Sequence, residues 1–111
     1  MKRQTIENIL NFLKEKEGKK LPYIWVRLLE EEKLIKELEN HPDGTQYIYN
    51  GRLDLKNTNI TKLPKDFYVG NSLFLSGCEQ LTELPKNLFV GGRLDLDYCT
   101  QITELPNDLY V

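Results

Sequence analysis

The chain has 111 residues, 29% of them charged and 40% hydrophobic, a balance that indicates one compact globular unit rather than a disordered chain. The formal net charge of −2 at pH 7 argues against a nucleic-acid or anionic-membrane binder by charge. No stretch approaches the roughly 18 apolar residues of a membrane span, and Glu7, Asn8 and Asn11 break up any signal-peptide core, so the expectation is a cytoplasmic protein without membrane contact, in its own cell or in a host's.

Over residues 5–17, Ile6, Ile9, Leu10 and Leu13 recur at helical spacing, with Phe12 beside them. Thr5 suits the N-cap, and Gly18 with Lys19 and Lys20 suits the helix end. Pro22 favours the opening of a second helix from about Tyr23 to Glu39. There Ile24, Trp25, Leu28, Leu29, Leu34, Ile35 and Leu38 oppose a face of Glu30, Glu31, Lys33, Lys36 and Glu37. Residues 1–40 hold nine basic groups against eight acidic ones, and residues 41–111 six against nine. Glu15 and Glu17 interleave the lysines of residues 14–20, so that stretch reads as a solvated helix end rather than a nucleic-acid patch.

His41, Pro42, Asp43 and Gly44 form a turn by composition. Tyr47, Ile48 and Tyr49 then precede Asn50 and Gly51. The Asn-Gly pair is a hairpin signal, but the tripeptide also sits where Phe67, Tyr68 and Val69 sit in the following sequence. The second reading, a degenerate zeroth repeat, is preferred because it aligns Gly51 with Gly92.

From Gly51 onward one pattern is written three times, over residues 51–69, 70–90 and 91–111. Leu63, Leu84 and Leu105 recur every 21 residues, as do Pro64, Pro85 and Pro106 and also Val69, Val90 and Val111. Leu53, Leu73 and Leu94 are spaced by 20 and 21, so the first copy is one residue short near Asn57–Asn59. Units this short must stack on one another to bury their apolar side. Within each copy the period changes to two, as a short strand with one buried face requires: Leu53 and Leu55, Leu73 and Leu75, Leu94 and Leu96 alternate with more polar residues. Matching strands in successive copies give a parallel sheet. The Leu-Pro segment that follows lacks a donor and favours an irregular or polyproline-like return.

LFLSGCEQL, from Leu73 to Leu81, and LDLDYCTQI, from Leu94 to Ile102, resemble the leucine-rich-repeat core, with Leu-Pro three residues on. The short period and Leu-Pro return are similar to the compact bacterial class, found in secreted effectors and in phage-borne proteins. The first copy departs from it at Thr58, where Cys or Asn is expected. The resemblance covers residues 51–111 and implies a solenoid, taken over residues 41–111, with a parallel sheet of about three to four short strands and an irregular convex side. The helical segment over residues 1–40 lies outside it. That segment reads as a cap on the solenoid's bare stacking face, or alternatively as a docking surface for a partner, and it makes the chain α+β. The resemblance also implies a protein-interaction scaffold, and since the residues offer no catalytic set, no enzyme is expected.

A sheet on the inner side of such a curve displays columns of side chains that the fold does not need. They are Arg52, Ser72 and Arg93; Asp54, Phe74 and Asp95; Lys56, Ser76 and Asp97. Arg52, Asp54, Lys56, Phe74, Arg93, Asp95 and Asp97 are therefore the candidate partner-binding residues, with Phe74 as an aromatic anchor in a charged setting. The competing reading of Phe74 is an ordinary outward strand former. The expected partner is another protein. Two alternatives are a small inhibitor from a phage or mobile element that blocks a host defence protein, and a recognition fragment of a larger bacterial effector enzyme. The apolar groups Ile102, Leu105 and Leu109 near the end of the chain invite end-to-end self-association or mark a chain cut short.

No cofactor or metal is expected. Two cysteines and one histidine show no paired ligand spacing, and the aspartates fit no calcium-loop pattern. Cys78 and Cys99, 21 residues apart, read as small buried groups closing a turn, with a disulfide across stacked copies as the lesser reading. A catalytic thiol would need a base, and His41 lies outside the repeats.

Overall fold

The computed structural model describes residues 7–12 and 22–111. The chain divides into two compact units, Met1–Lys36 and Glu37–Val111. It is α+β: helix α1 over residues 7–12, helix α2 over Tyr23–Glu39, and two small parallel sheets. The expected N-cap at Thr5, the helix end at Gly18 and the lysines of residues 14–20 lie outside the described residues.

In the first unit, Ile9 and Ile35 are buried, and the ring of Phe12 meets Trp25 edge-on with centroids 5.0 Å apart. Pro22 sits just before α2, and its carbonyl accepts from Trp25 N at 3.0 Å and Val26 N at 3.2 Å. It supplies the first helical acceptor without needing a donor of its own.

The second unit is built from strands of two or three residues, β1 (Tyr47–Tyr49), β2 (Leu53–Asp54), β3 (Phe67–Val69), β4 (Leu73–Phe74), β5 (Phe89–Val90) and β6 (Leu94–Asp95). One sheet has the order β2-β4-β6, pairing Leu53 with Leu73 and Leu73 with Leu94. This is the parallel sheet the alternating leucines predict, with Leu53, Leu55, Leu73 and Leu75 all buried. The other sheet has the order β1-β3-β5 and is extended by a bridge from Phe89 to Tyr110.

That second sheet corrects the expectation of a wholly irregular return side. The Leu-Pro residues do lack regular structure. The tripeptides after the first two, Phe67–Val69 and residues 88–90, alternate buried and half-exposed side chains, and their aromatic and β-branched residues suit a strand. Tyr47–Tyr49 pairs in parallel with Phe67–Val69, so the hairpin reading fails and the zeroth-repeat reading holds.

The core of this unit lies between the two sheets' buried positions: the leucines above, Ile60, Leu63, Phe67, Val69, Leu81, Leu84, Leu88 and Val90. Glycines let the corners approach. A Cβ on Gly91 would stand 2.4 Å from the Gly70 carbonyl oxygen, and one on Gly70 would stand 2.7 Å from that of Asn50.

Candidate functional site

Backbone hydrogen bonds fix the columns of the β2-β4-β6 face. Leu53 N donates to Ser72 O at 2.9 Å, and Leu73 N donates to Arg93 O at 2.8 Å. Leu55 and Leu75 donate one step further on, to Phe74 and Asp95. Arg52 thus aligns with Ser72 and Arg93, and the paired residues Asp54, Phe74 and Asp95 form the central column. Asn57 N donates to Ser76 O and Gly77 N to Asp97 O, which sets the third column.

Phe74 is half-buried at the centre of this face. The Arg52 guanidinium lies 4.6 Å from its ring centroid and the Lys56 ammonium 5.7 Å. Both cations come from the neighbouring copy and lie over the ring, whose negative quadrupole attracts them. Lys56 also pairs with Asp54 at 3.7 Å, an exposed and therefore weak ion pair. Of the seven residues singled out from the sequence, Arg52, Asp54, Lys56 and Phe74 form one contacting group.

The aspartates have local duties that the sequence did not announce. Asp54 Oδ1 accepts from Lys56 N at 3.0 Å, and Asp95 Oδ1 accepts from Asp97 N at 3.0 Å. Each closes the turn leaving its strand, as Asx side chains do. Phe74 occupies the same position in the middle copy and makes no such bond, which leaves its ring to the surface. Arg93 and Asp97 are exposed, and Arg93 N is held by Ser72 Oγ at 2.9 Å.

The thiols are buried and free, so no disulfide joins them. Cys78 Sγ donates to Leu55 O at 2.9 Å and Cys99 Sγ to Leu75 O at 3.0 Å, each reaching back to the preceding copy. Thr58 fills the equivalent place in the first copy, its hydroxyl donating to Leu55 O at 2.9 Å. Its acceptor lies in its own copy, so the hydroxyl does not reproduce the reach of the thiols to the copy before. Burial pushes the Cys99 thiol above its ordinary value, the reverse of what a nucleophile requires. His41 stands at an exposed turn, its ring within 2.9 Å of Thr45 Oγ1 and packed edge-on against Tyr47.

Two features escaped the sequence reading. Tyr68, Phe89 and Tyr110 stack as a ladder along the second sheet, with centroids 4.7 Å apart at both steps and planes within 5° of parallel. The signal was there, since these are the middle residues of strand-like tripeptides at one offset. Tyr98 adopts a left-handed backbone, φ 59°, with its side chain 79% exposed. Its counterparts are Asn57 (φ 57°) and Gly77 (φ 75°), residue types that tolerate that conformation better. A concavity of about 310 Å³ lies elsewhere, on the Leu-Pro side, lined by lysines and acids together.

No protein-family model matches the chain, and comparison with curated proteins and with solved structures gives no match either.

Proposed function

We propose that the chain is a short leucine-rich-repeat solenoid that binds another protein through the outward face of β2, β4 and β6. The observation that carries this is Phe74: a half-buried ring at the centre of the face, stacked under Arg52 and Lys56 and bordered by Asp54 and Asp95. An aromatic anchor ringed by charges is what an interface hot spot needs, because the ring supplies burial and the rim supplies orientation. The fold gains little from Phe74 at that place, since the buried side of the same strand is held by Leu73 and Leu75. A binding role rather than catalysis also suits the thiols, which are committed to carbonyl acceptors in the core.

The test is affinity capture from a lysate with the full chain and with its Phe74→Ala variant side by side. Loss of at least about 2 kcal/mol, roughly thirtyfold in affinity, is expected for the protein that the wild type retains. Equal retention by F74A, with unchanged circular dichroism, would remove this face from consideration.

A further inference from the structure

The third copy presents apolar positions that the second copy buries. Leu75, Leu81, Leu84 and Val90 are at most 5% exposed, whereas Leu105 is 58% and Val111 56% exposed, and Leu96 and Ile102 are half-buried. Leu96, Cys99, Ile102 and Leu105 line a hollow of about 170 Å³ on that side. The backbone is open there as well. Leu73 and Leu75 donate to the neighbouring strand, but the corresponding N–H groups of Leu94 and Leu96 meet no acceptor among the described residues. An apolar strand edge with free donors is a template for another strand.

We infer that a second copy of this chain pairs with this edge, β6 against β6, antiparallel about a twofold axis at Leu94. Identical edges meeting through a closed twofold interface run antiparallel. Leu94 pairs with Leu73 in a parallel ladder, so its own N–H and C=O point away from β4. Two Leu94 residues can therefore exchange both hydrogen bonds. Keeping the leucines on the buried side and setting them opposite one another leaves three registers. Of these, Leu94 on Leu96 sets Arg93 against Asp97 twice but also Asp95 against Asp95, and Leu96 on Leu96 sets Asp95 against Asp97 twice. Leu94 on Leu94 sets Arg93 against Asp95 of the second copy, twice. Directly opposed unlike charges stabilise an antiparallel pair and like charges weaken it, so the Leu94-centred register is selected by charge. This pairing joins two β2-β4-β6 faces into one sheet and does not depend on what Phe74 binds.

Sedimentation velocity of the full 111-residue chain over a wide concentration range tests it. A monomer–dimer equilibrium is expected. Arg93→Asp or Asp95→Arg should each raise the dimer dissociation constant about tenfold, and the swapped pair R93D/D95R should bring it back to near the wild-type value. Asp97→Arg should leave it unchanged, as should Phe74→Ala. Circular dichroism of each variant checks that the chain stays folded, and R93D removes no hydrogen bond seen in the fold. A strict monomer at all concentrations overturns the inference. So does a dimer indifferent to R93D, one that the swap fails to restore, or one that D97R weakens.

Discussion

Single atoms decide the corners of the repeats. Gly51 and Gly91 each open a copy in the sequence, yet a Cβ on Gly51 would find only Tyr49 Cε1, at 3.8 Å. A Cβ on Gly91 would run into the Gly70 carbonyl oxygen at 2.4 Å, and backbone cannot step aside as a side chain can. Gly91→Ala should therefore cost about 1–3 kcal/mol through overpacking, while Gly51→Ala should be neutral or slightly stabilising by narrowing the unfolded ensemble. Urea denaturation of the two variants beside the wild type measures both. Equal effects at the two sites would show that the corner is not held by this approach. The same scale explains Thr58: its hydroxyl reaches the Leu55 carbonyl from its own copy, as the Cys78 thiol does from the next. Thr58 therefore shares an acceptor with Cys78 rather than repeating the contact that Cys78 and Cys99 make to the copy before them.

At the scale of elements, the sequence was most legible where one period dominates. The alternating leucines of β2, β4 and β6 identify a strand, its buried face and its register, because a two-residue period has one apolar side and the copies repeat it at nearly constant spacing. Phe67, Tyr68 and Val69 were harder, since three residues after a proline do not establish a period by themselves. The signal for a second sheet was in the cross-copy alignment, Ile48 with Tyr68 with Phe89, rather than within any copy. The candidate face was partly legible for the same reason. Alternation places Phe74 outward, but nothing in spacing tells that Arg52 and Lys56 lean over its ring, or that Asp54 and Asp95 are used by their own turns.

The aromatic ladder turns the second sheet into a testable element. Phe89 stacks on both Tyr68 and Tyr110, and each such contact adds about 0.5–1.5 kcal/mol beyond burial. Phe89→Leu keeps an apolar group on the strand but removes both stacking contacts. A loss of about 1–3 kcal/mol in chemical denaturation is expected, with the near-ultraviolet signal of the tyrosines reduced. A variant as stable as the wild type would mean that the ladder records the strand register without stabilising it.

At the scale of the whole molecule, two groups in the second unit hold their protons more tightly when folded than when unfolded. Burial raises the Cys99 thiol above its ordinary value of 9.0, helped by Cys78, Asp95 and Asp97 against a lowering backbone hydrogen bond. Burial raises the Tyr47 hydroxyl above 10.0, helped by Glu37 and then Tyr49. For both, the neutral, protonated form belongs to the folded state. Unfolding therefore releases protons once the pH exceeds the unfolded values, and stability falls as pH rises. Their contribution is complete below about pH 8 and declines from about pH 9 upward, first through Cys99 and then through Tyr47. Cys99→Ala should flatten the early part of that decline and Tyr47→Phe the later part, whatever each does to stability at neutral pH. Urea midpoints collected from pH 7 to pH 11 give the slope directly. A wild-type profile level through pH 10.5, or variants that fall as steeply as the wild type, would show that these two protons are not what alkaline conditions remove from the fold.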